Sequence, residues 1–139
     1  MINGKLTHPD VLRALASAGH TAKVLIADGH FPSSTALPQH VARVVLNYAP
    51  DVISAPAALG PILDAVPVQA AVATVREDGS KPPAWAEFDH LLPADIELES
   101  VKGSELTTTF SEQDLCLAIL TGDLRPASCI VLTLGLRQK

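Results

Sequence analysis

Apolar runs without polar alternation are the feature of this sequence that most limits its fold. Such runs occupy residues 23–27, 68–75, 115–120 and 129–134. A strand with one face in water alternates apolar and polar residues, so these runs predict strands that are buried on both faces. Residues 41–46 form a further β-like run, and 96–101 alternate apolar and acidic residues, as a strand with one wet face does. The sequence therefore predicts a sheet of about six strands.

Helical patterns separate these runs. The segment 8–18 has Pro9 in its first turn, a possible cap at Thr7 or His8, and Gly19 at its end. Helices are also predicted over 55–65, 82–92 and, weakly, 104–114, while 29–39 should be a loop. Strands that alternate with helices predict an α/β fold. We expect one three-layer α/β/α domain over residues 1–139, with a mostly parallel sheet and helices on both faces.

Composition excludes several classes of function. The net charge is -5 and aromatic residues make up 4% of the chain, which argues against binding to nucleic acid or to an anionic membrane. No Cys-x-x-Cys occurs and no two of the five histidines share a helical face, so we expect no metal site. The apolar stretch 55–75 is broken by prolines and polar residues, and residues 1–5 contain no apolar signal core. Cys116 and Cys129 both lie in apolar runs and are expected to be buried, reduced thiols, which favours a cytoplasmic protein.

Two side chains flank the first buried run. His20 follows Gly19, where one ring nitrogen can be held while the other faces a ligand, and imidazole suits proton transfer near neutral pH. Asp28 ends the run, at the edge where open α/β sheets bind ligands. The alternatives are a structural role for His20 and a turn-forming role for Asp28 before Gly29.

The residues around this run resemble those of the ribose pyranase and fucose mutarotase family (RbsD/FucU). The similarity rests on Gly19-His20-Thr21 and on an apolar strand followed by Asp28-Gly29-His30-Phe31-Pro32, a form closer to the fucose branch. Looser matches are Leu12, Pro38-Gln39, Arg43, 118–123 and 129–135. The likeness spans nearly the whole chain.

The resemblance implies an isomerase that interconverts cyclic forms of a free monosaccharide, either anomers or pyranose and furanose forms, without a cofactor. By resemblance His20 is the proton donor, Asp28 binds sugar hydroxyls, and His30 is a further candidate for binding the substrate. The family also implies a ring-shaped homo-oligomer, often a decamer, with the pocket at a subunit contact. A strand over 23–27 would be about 16 Å long, which would place His20 and Asp28 near its opposite ends. Either the Gly19-His20 turn folds back over the edge of the sheet, or neighbouring subunits build the site, and the resemblance favours the second.

The sequence also departs from the family pattern. The position of a second basic residue falls near Glu105, and a Tyr-x-Asn sugar-binding triplet is replaced by Ala127, Ser128 and Cys129. Arg125 or His30 could supply replacement donors, and Arg43 fits a structural ion pair as well as a ligand role. These departures leave open a non-catalytic sugar- or metabolite-binding protein, or an enzyme acting on a different hydroxylated substrate. The sequence does not identify the sugar.

Overall fold

Six strands form one sheet in the computed structural model, which describes residues 1–139. The strands are β1 (Lys23–Ala27), β2 (Ala42–Val45), β3 (Val68–Val75), β4 (Leu98–Lys102), β5 (Leu115–Leu120) and β6 (Ile130–Leu134). Their order across the sheet is β2-β5-β1-β6-β3-β4. Only β6 runs against its neighbours, and the other pairs are parallel. The predicted mostly parallel sheet of six strands is confirmed.

Four α-helices accompany the strands. Helix α1 (Pro9–Ser17) precedes β1, and α2 (Ser33–Ala36), α3 (Ala55–Ala65) and α4 (Pro83–Leu91) lie in the connections between strands. The ring of His8 caps α1 by accepting a hydrogen bond from the N–H of Val11, and Ser54 caps α3 in the same way. None of the helices combines the length and the apolar character needed to cross a membrane. The short α2 lies inside the segment predicted to be a loop. It was not predicted because four residues are too few to show a periodic pattern.

The segment predicted as a weak helix over 104–114 is a 3-10 helix, Gly103–Thr109, followed by a turn. The hydroxyls of Thr108 and Thr109 donate to carbonyls three residues back, those of Glu105 and Leu106. Such side-chain bonds and β-branched residues disfavour an α-helix, so the shorter 3-10 form stands in its place.

The two outer layers of the sheet are unequal. The helices α1, α3 and α4 pack on one face and share a core of 21 buried residues with Val24 and Ile26 of β1. The opposite face has a core of 9 residues, to which Leu25 and Ala27 belong, and it is covered by the segment 31–41 and the 3-10 helix. Strand β1 is therefore buried on both faces, as its unbroken apolar run predicts.

Candidate functional site

A cavity of about 390 Å³ lies at the edge of the sheet where β1, β3 and β4 end and β6 begins. Its polar lining includes Asp28, His30, Arg76 and Glu77. Its apolar lining includes Phe31, Leu106, Ala127 and the thiol-bearing Cys129. We call it the Asp28 cavity. Its position agrees with the rule that open α/β sheets bind ligands beyond the carboxyl ends of their strands.

The carboxylate of Asp28 is held by the backbone on two sides. Its Oδ1 accepts from the N–H of His30 at 2.9 Å, and its Oδ2 accepts from the N–H of Ser128 at 3.0 Å. The residue is only 6% exposed. A carboxylate oxygen can accept more than one hydrogen bond, so both oxygens keep capacity for a ligand hydroxyl. Asp28 therefore forms the turn, through its bond to the N–H of His30, and also lines the cavity.

The ring of His30 is oriented by a contact with a backbone carbonyl. Its Nε2 lies 3.0 Å from the carbonyl oxygen of Leu124. A carbonyl can only accept, so Nε2 carries the hydrogen in this contact and Nδ1 of the neutral ring remains an acceptor. His30 is exposed and lines the Asp28 cavity.

Cys129 forms part of the cavity wall beside Asp28. Its Sγ accepts from the N–H of Asp28 at 3.3 Å, and its backbone is bonded in both directions to the hydroxyl of Thr74. Burial and the negative charge of Asp28 raise the pKa of the Cys129 thiol well above its ordinary value. The group therefore remains a neutral thiol and is not a nucleophilic thiolate.

Ala127 is the other small residue of this wall, and its φ of 61° is in the left-handed region. The side chains of Ala127 and Cys129 both line the cavity, at the positions where the resemblance described above implies a phenol and a carboxamide. This part of the wall consequently offers a methyl group and a thiol in place of two strong hydrogen-bonding groups.

Arg76 and Glu77 are cavity residues that the sequence analysis missed. Hydrogen bonds from the backbone N–H and the hydroxyl of Ser104, at 2.8 and 2.9 Å, lower the pKa of Glu77. The guanidinium of Arg76 donates to Ser80 and to the carbonyl of Lys81. Both residues directly follow β3, as Asp28 follows β1, so the rule on carboxyl ends of strands could have found them.

Arg125 is engaged elsewhere and does not line the Asp28 cavity. Its guanidinium donates to the buried carboxylate of Asp123 at 2.9 and 2.8 Å and to Glu87 at 2.5 Å. Burial alone would raise the pKa of Asp123, but the bonds from Arg125 and from the N–H of Ala55 lower it. Of the two residues considered as replacements in the cavity, only His30 lines it, and its neutral ring offers Nδ1 as an acceptor, since its N–H is used on the carbonyl of Leu124.

Two other residues singled out from the sequence also lie outside the cavity. Glu105 is exposed on the 3-10 helix and is not part of the lining. Arg43 donates to the carbonyls of residues 37, 38, 39 and 41 at 3.0 to 3.3 Å. Its role is therefore structural, although it binds carbonyls and forms no ion pair.

His20 lines a second cavity, of about 530 Å³, at the opposite edge of the sheet. This His20 cavity is bounded by the last turns of α1 and α3 and by the end of β6, and it shares no residue with the Asp28 cavity. The Nε2 of His20 lies 2.8 Å from Oε1 of Gln69. Within one chain, the fold does not bring His20 and Asp28 to the same ligand.

No group of three or more His, Cys, Asp or Glu side chains is arranged to hold a metal ion. The ionisable and charged groups of the two cavities are carboxylates, imidazoles and guanidinium groups, all of which can bind hydroxyls, and the imidazoles and carboxylates can also exchange protons.

Comparison with protein-family models matches residues 1–137 to the RbsD / FucU transport protein family. Comparison with curated protein sequences finds no significant match. Among solved structures, the chain is similar to Bacillus subtilis RbsD complexed with D-ribose, with a TM-score of 0.81, 20% identity, and coverage of 99% of this chain and 100% of that one.

FucU from Bifidobacterium longum is also similar, with a TM-score of 0.79, 18% identity, and coverage of 95% and 97%. The fucose mutarotase of Streptococcus pneumoniae, solved with L-fucose, has a TM-score of 0.72, 17% identity, and coverage of 94% of both chains. At these identities the similarities establish the fold.

Proposed function

We propose that this chain, which belongs to the RbsD / FucU transport protein family, interconverts the cyclic forms of a free aldose. The observation that carries the proposal is the carboxylate of Asp28, held by two backbone N–H groups at the wall of a cavity of about 390 Å³. Such a cavity is in the range that binds small molecules, and a fixed carboxylate orients a sugar through its hydroxyls.

Ring opening needs one proton donated and one removed. A general acid protonates the ring oxygen, a base takes the proton of the anomeric hydroxyl, and the bond between the anomeric carbon and the ring oxygen breaks. The open aldehyde then closes on its other face, which gives the other anomer, or through another hydroxyl, which gives another ring size. The exchange moves protons and no electrons, and we assign the donor role to His20.

His20 and Asp28 can serve one sugar only if two chains build the site. They line separate cavities at opposite ends of β1, whose five residues extend over about 16 Å. We therefore propose a homo-oligomer in which the His20 cavity of one subunit faces the Asp28 cavity of the next, in a closed ring such as a decamer.

Saturation-transfer NMR on ribose, fucose and other aldoses tests the activity. The intact protein should increase the exchange rate between ring forms of at least one sugar, and His20→Ala should remove the increase while the amide spectrum stays that of a folded chain. Acid–base catalysis contributes about 10²- to 10⁴-fold, so the loss should be easily measured. Unchanged exchange in His20→Ala would show that the imidazole is not the proton donor.

The second candidate is a protein that binds a sugar or a related metabolite without catalysis. It is favoured by the methyl group of Ala127 and the neutral thiol of Cys129 in the cavity wall. Each lost hydrogen bond reduces affinity by about 1 kcal/mol. Saturation transfer from protein to sugar without faster exchange between ring forms would support this candidate over the enzyme.

A further inference from the structure

A β-bulge in β3 sets the direction of Gln69. In the pairing of β3 with β6, Val68 faces Leu134 and Ala70 faces Thr133, so the register shifts and Gln69 is the extra residue. Further along β3, Ala71, Ala73 and Val75 point into the core beneath the helices. If the side chains of β3 alternated strictly between the two faces of the sheet, Gln69 would point into that core as well. Instead Val68 packs against the core and Gln69 is exposed. The bulge thus turns the amide of Gln69 out of the core.

The end of β6 ties Gln69 to His20. The carbonyl of Leu134 accepts from the N–H of Thr21, and the N–H of Leu134 donates to the carbonyl of Ala22. Leu134 therefore pairs on one side with the turn that carries His20 and on the other with Val68, the residue before Gln69. Thr21 has a φ of 70°, a left-handed conformation that is rare for a β-branched residue. Strained backbone of this kind persists where the surrounding structure holds it.

Gly135 leaves space for the side chain of Gln69 beside the end of β6. A Cβ at Gly135 would lie 3.2 Å from the Cβ of Gln69 and 3.4 Å from its backbone nitrogen. Any other residue at this position would press on the bulge. The absence of a side chain lets Gln69 remain beside the end of β6, with Oε1 2.8 Å from Nε2 of His20.

We propose that Gln69 is a positioning residue that holds the ring of His20 through Nε2 and leaves Nδ1 as the nitrogen that exchanges a proton with the substrate. The amide oxygen of Gln69 accepts, so Nε2 carries a hydrogen in the neutral and in the protonated ring. Nδ1 is then the nitrogen that takes up a proton and donates it to the sugar, in keeping with the donor role assigned to His20. The role of Nδ1 in catalysis rests on the proposed function, whereas the positioning of the ring does not. Apart from His20, the only titratable or charged side chain that lines the His20 cavity is that of Arg137.

Nitrogen-15 NMR of the His20 ring tests the positioning directly in the full-length protein. In the unaltered chain, long-range correlations from the ring carbon protons should place the hydrogen of the neutral ring on Nε2. In Gln69→Leu the ring should lose its fixed orientation, seen as a change in its nuclear Overhauser contacts to the end of β6. The exchange rate at saturating sugar should fall about five-fold, as expected for one lost hydrogen bond, with little change in KM.

Gln69→Glu keeps an acceptor in the same place and adds a negative charge. That charge favours the protonated ring, so the midpoint of the His20 ring titration should move up by about half a unit to one unit. The pH profile of ring exchange should move with it, while the rate at its optimum remains close to that of the unaltered chain. Gln113→Leu, at an exposed glutamine far along the sequence, is the matched control and should change neither reading.

The outcomes separate the two proposals. Ring contacts unaltered in Gln69→Leu, together with an unmoved titration midpoint in Gln69→Glu, would overturn the role of Gln69. If the midpoint of the His20 titration moves in Gln69→Glu but the unaltered protein does not accelerate exchange between ring forms of any sugar, the positioning of His20 is upheld and the proposed function is overturned. A moved midpoint with a matching shift of the rate profile would support both.

Discussion

The imidazole of His20 and the carboxylate of Asp28 lie at opposite ends of β1, and each lines a cavity that the other does not reach. The strand between them has four fully buried residues and pairs with β5 on one side and β6 on the other. Such a strand cannot shorten or bend to bring the two groups together. A shared ligand therefore requires a second copy of the chain.

Mixed oligomers of two inactive variants should recover activity. At a sugar concentration well below the Kd of the Asp28→Asn variant, His20→Ala and Asp28→Asn each leave every site of a pure oligomer nearly inactive, but a mixed contact can pair an intact His20 with an intact Asp28. Random assembly after co-expression should restore about a quarter of the sites. Ring exchange measured by saturation-transfer NMR, with light scattering for the size of the particle, checks this expectation. Mixed particles without recovered exchange, or a catalytically active monomer, would contradict the shared site.

Asp28→Asn should weaken sugar binding more than it destabilises the fold. In Asp28→Asn, the side-chain amide nitrogen takes the place of one carboxylate oxygen and cannot accept from the backbone N–H beside it. The loss of this hydrogen bond should lower the free energy of unfolding by about 1 kcal/mol. Loss of a charged acceptor should weaken binding about ten-fold or more. Urea unfolding and NMR titration measure the two effects.

Asp78→Asn is the control for this substitution. Asp78 makes the same turn, with Oδ1 accepting from the N–H of Ser80 at 2.9 Å, but it lies outside the Asp28 cavity. Asp78→Asn should lower the free energy of unfolding slightly and leave sugar binding unchanged. Equal binding losses in the two variants would argue against a ligand role for Asp28.

The double substitution Ala127→Tyr with Cys129→Asn should tighten monosaccharide binding. It returns a phenol and a carboxamide to the wall of the Asp28 cavity, and one hydrogen bond contributes about 1 kcal/mol, or about five-fold in affinity. Ala127→Phe with Cys129→Val adds similar bulk without the polar atoms and should give no gain. If both double variants bind alike, polar contacts at these positions are not what limits affinity.

Asp123→Asn should destabilise the fold and remove part of its acid sensitivity. The carboxylate is fully buried and paired with Arg125, so its loss should cost about 3 kcal/mol. The pKa of Asp123 is lowered in the folded chain, so its contribution is complete above the ordinary pKa of an aspartate, near 4, and is lost as the pH falls through the folded value.

Urea unfolding at pH 7 and in acid checks this expectation. The gap in stability between the unaltered chain and Asp123→Asn should narrow as the pH falls below about 4. Asp64→Asn, which removes an exposed ion pair with Lys5, should cost about 1 kcal/mol or less. A gap that is constant with pH would show that Asp123 is not the source of this acid sensitivity.

Elements with a strong local pattern were predicted well. The strands β1, β3 and β5 and the helix α3 have the bounds read from the sequence, because an apolar run or a helical period is a property of neighbouring residues. The 3-10 helix and the short α2 were not predicted, since hydroxyl-to-carbonyl bonds and a single helical turn leave weak signals.

The placement of Asp28 beyond a buried strand was also readable, because a carboxyl end of a strand is known once the strand is known. By the same reasoning Arg76 and Glu77 could have been found. The bonds that join Arg125 to Glu87 and Asp123 to the N–H of Ala55 could not be read from the sequence, since they link distant parts of the chain.

The sequence by itself determined the α/β architecture, the strand buried on both faces, and the presence of an imidazole and a carboxylate at its two ends. Only the tertiary structure decided which groups surround them. The bulge at Gln69 is a mismatch between β3 and β6, and the wall formed by Ala127 and Cys129 depends on the residues just before β6 lying against Asp28. Both arise from pairing between residues far apart in the chain, and a one-residue change in register would turn every side chain of a strand to the other face.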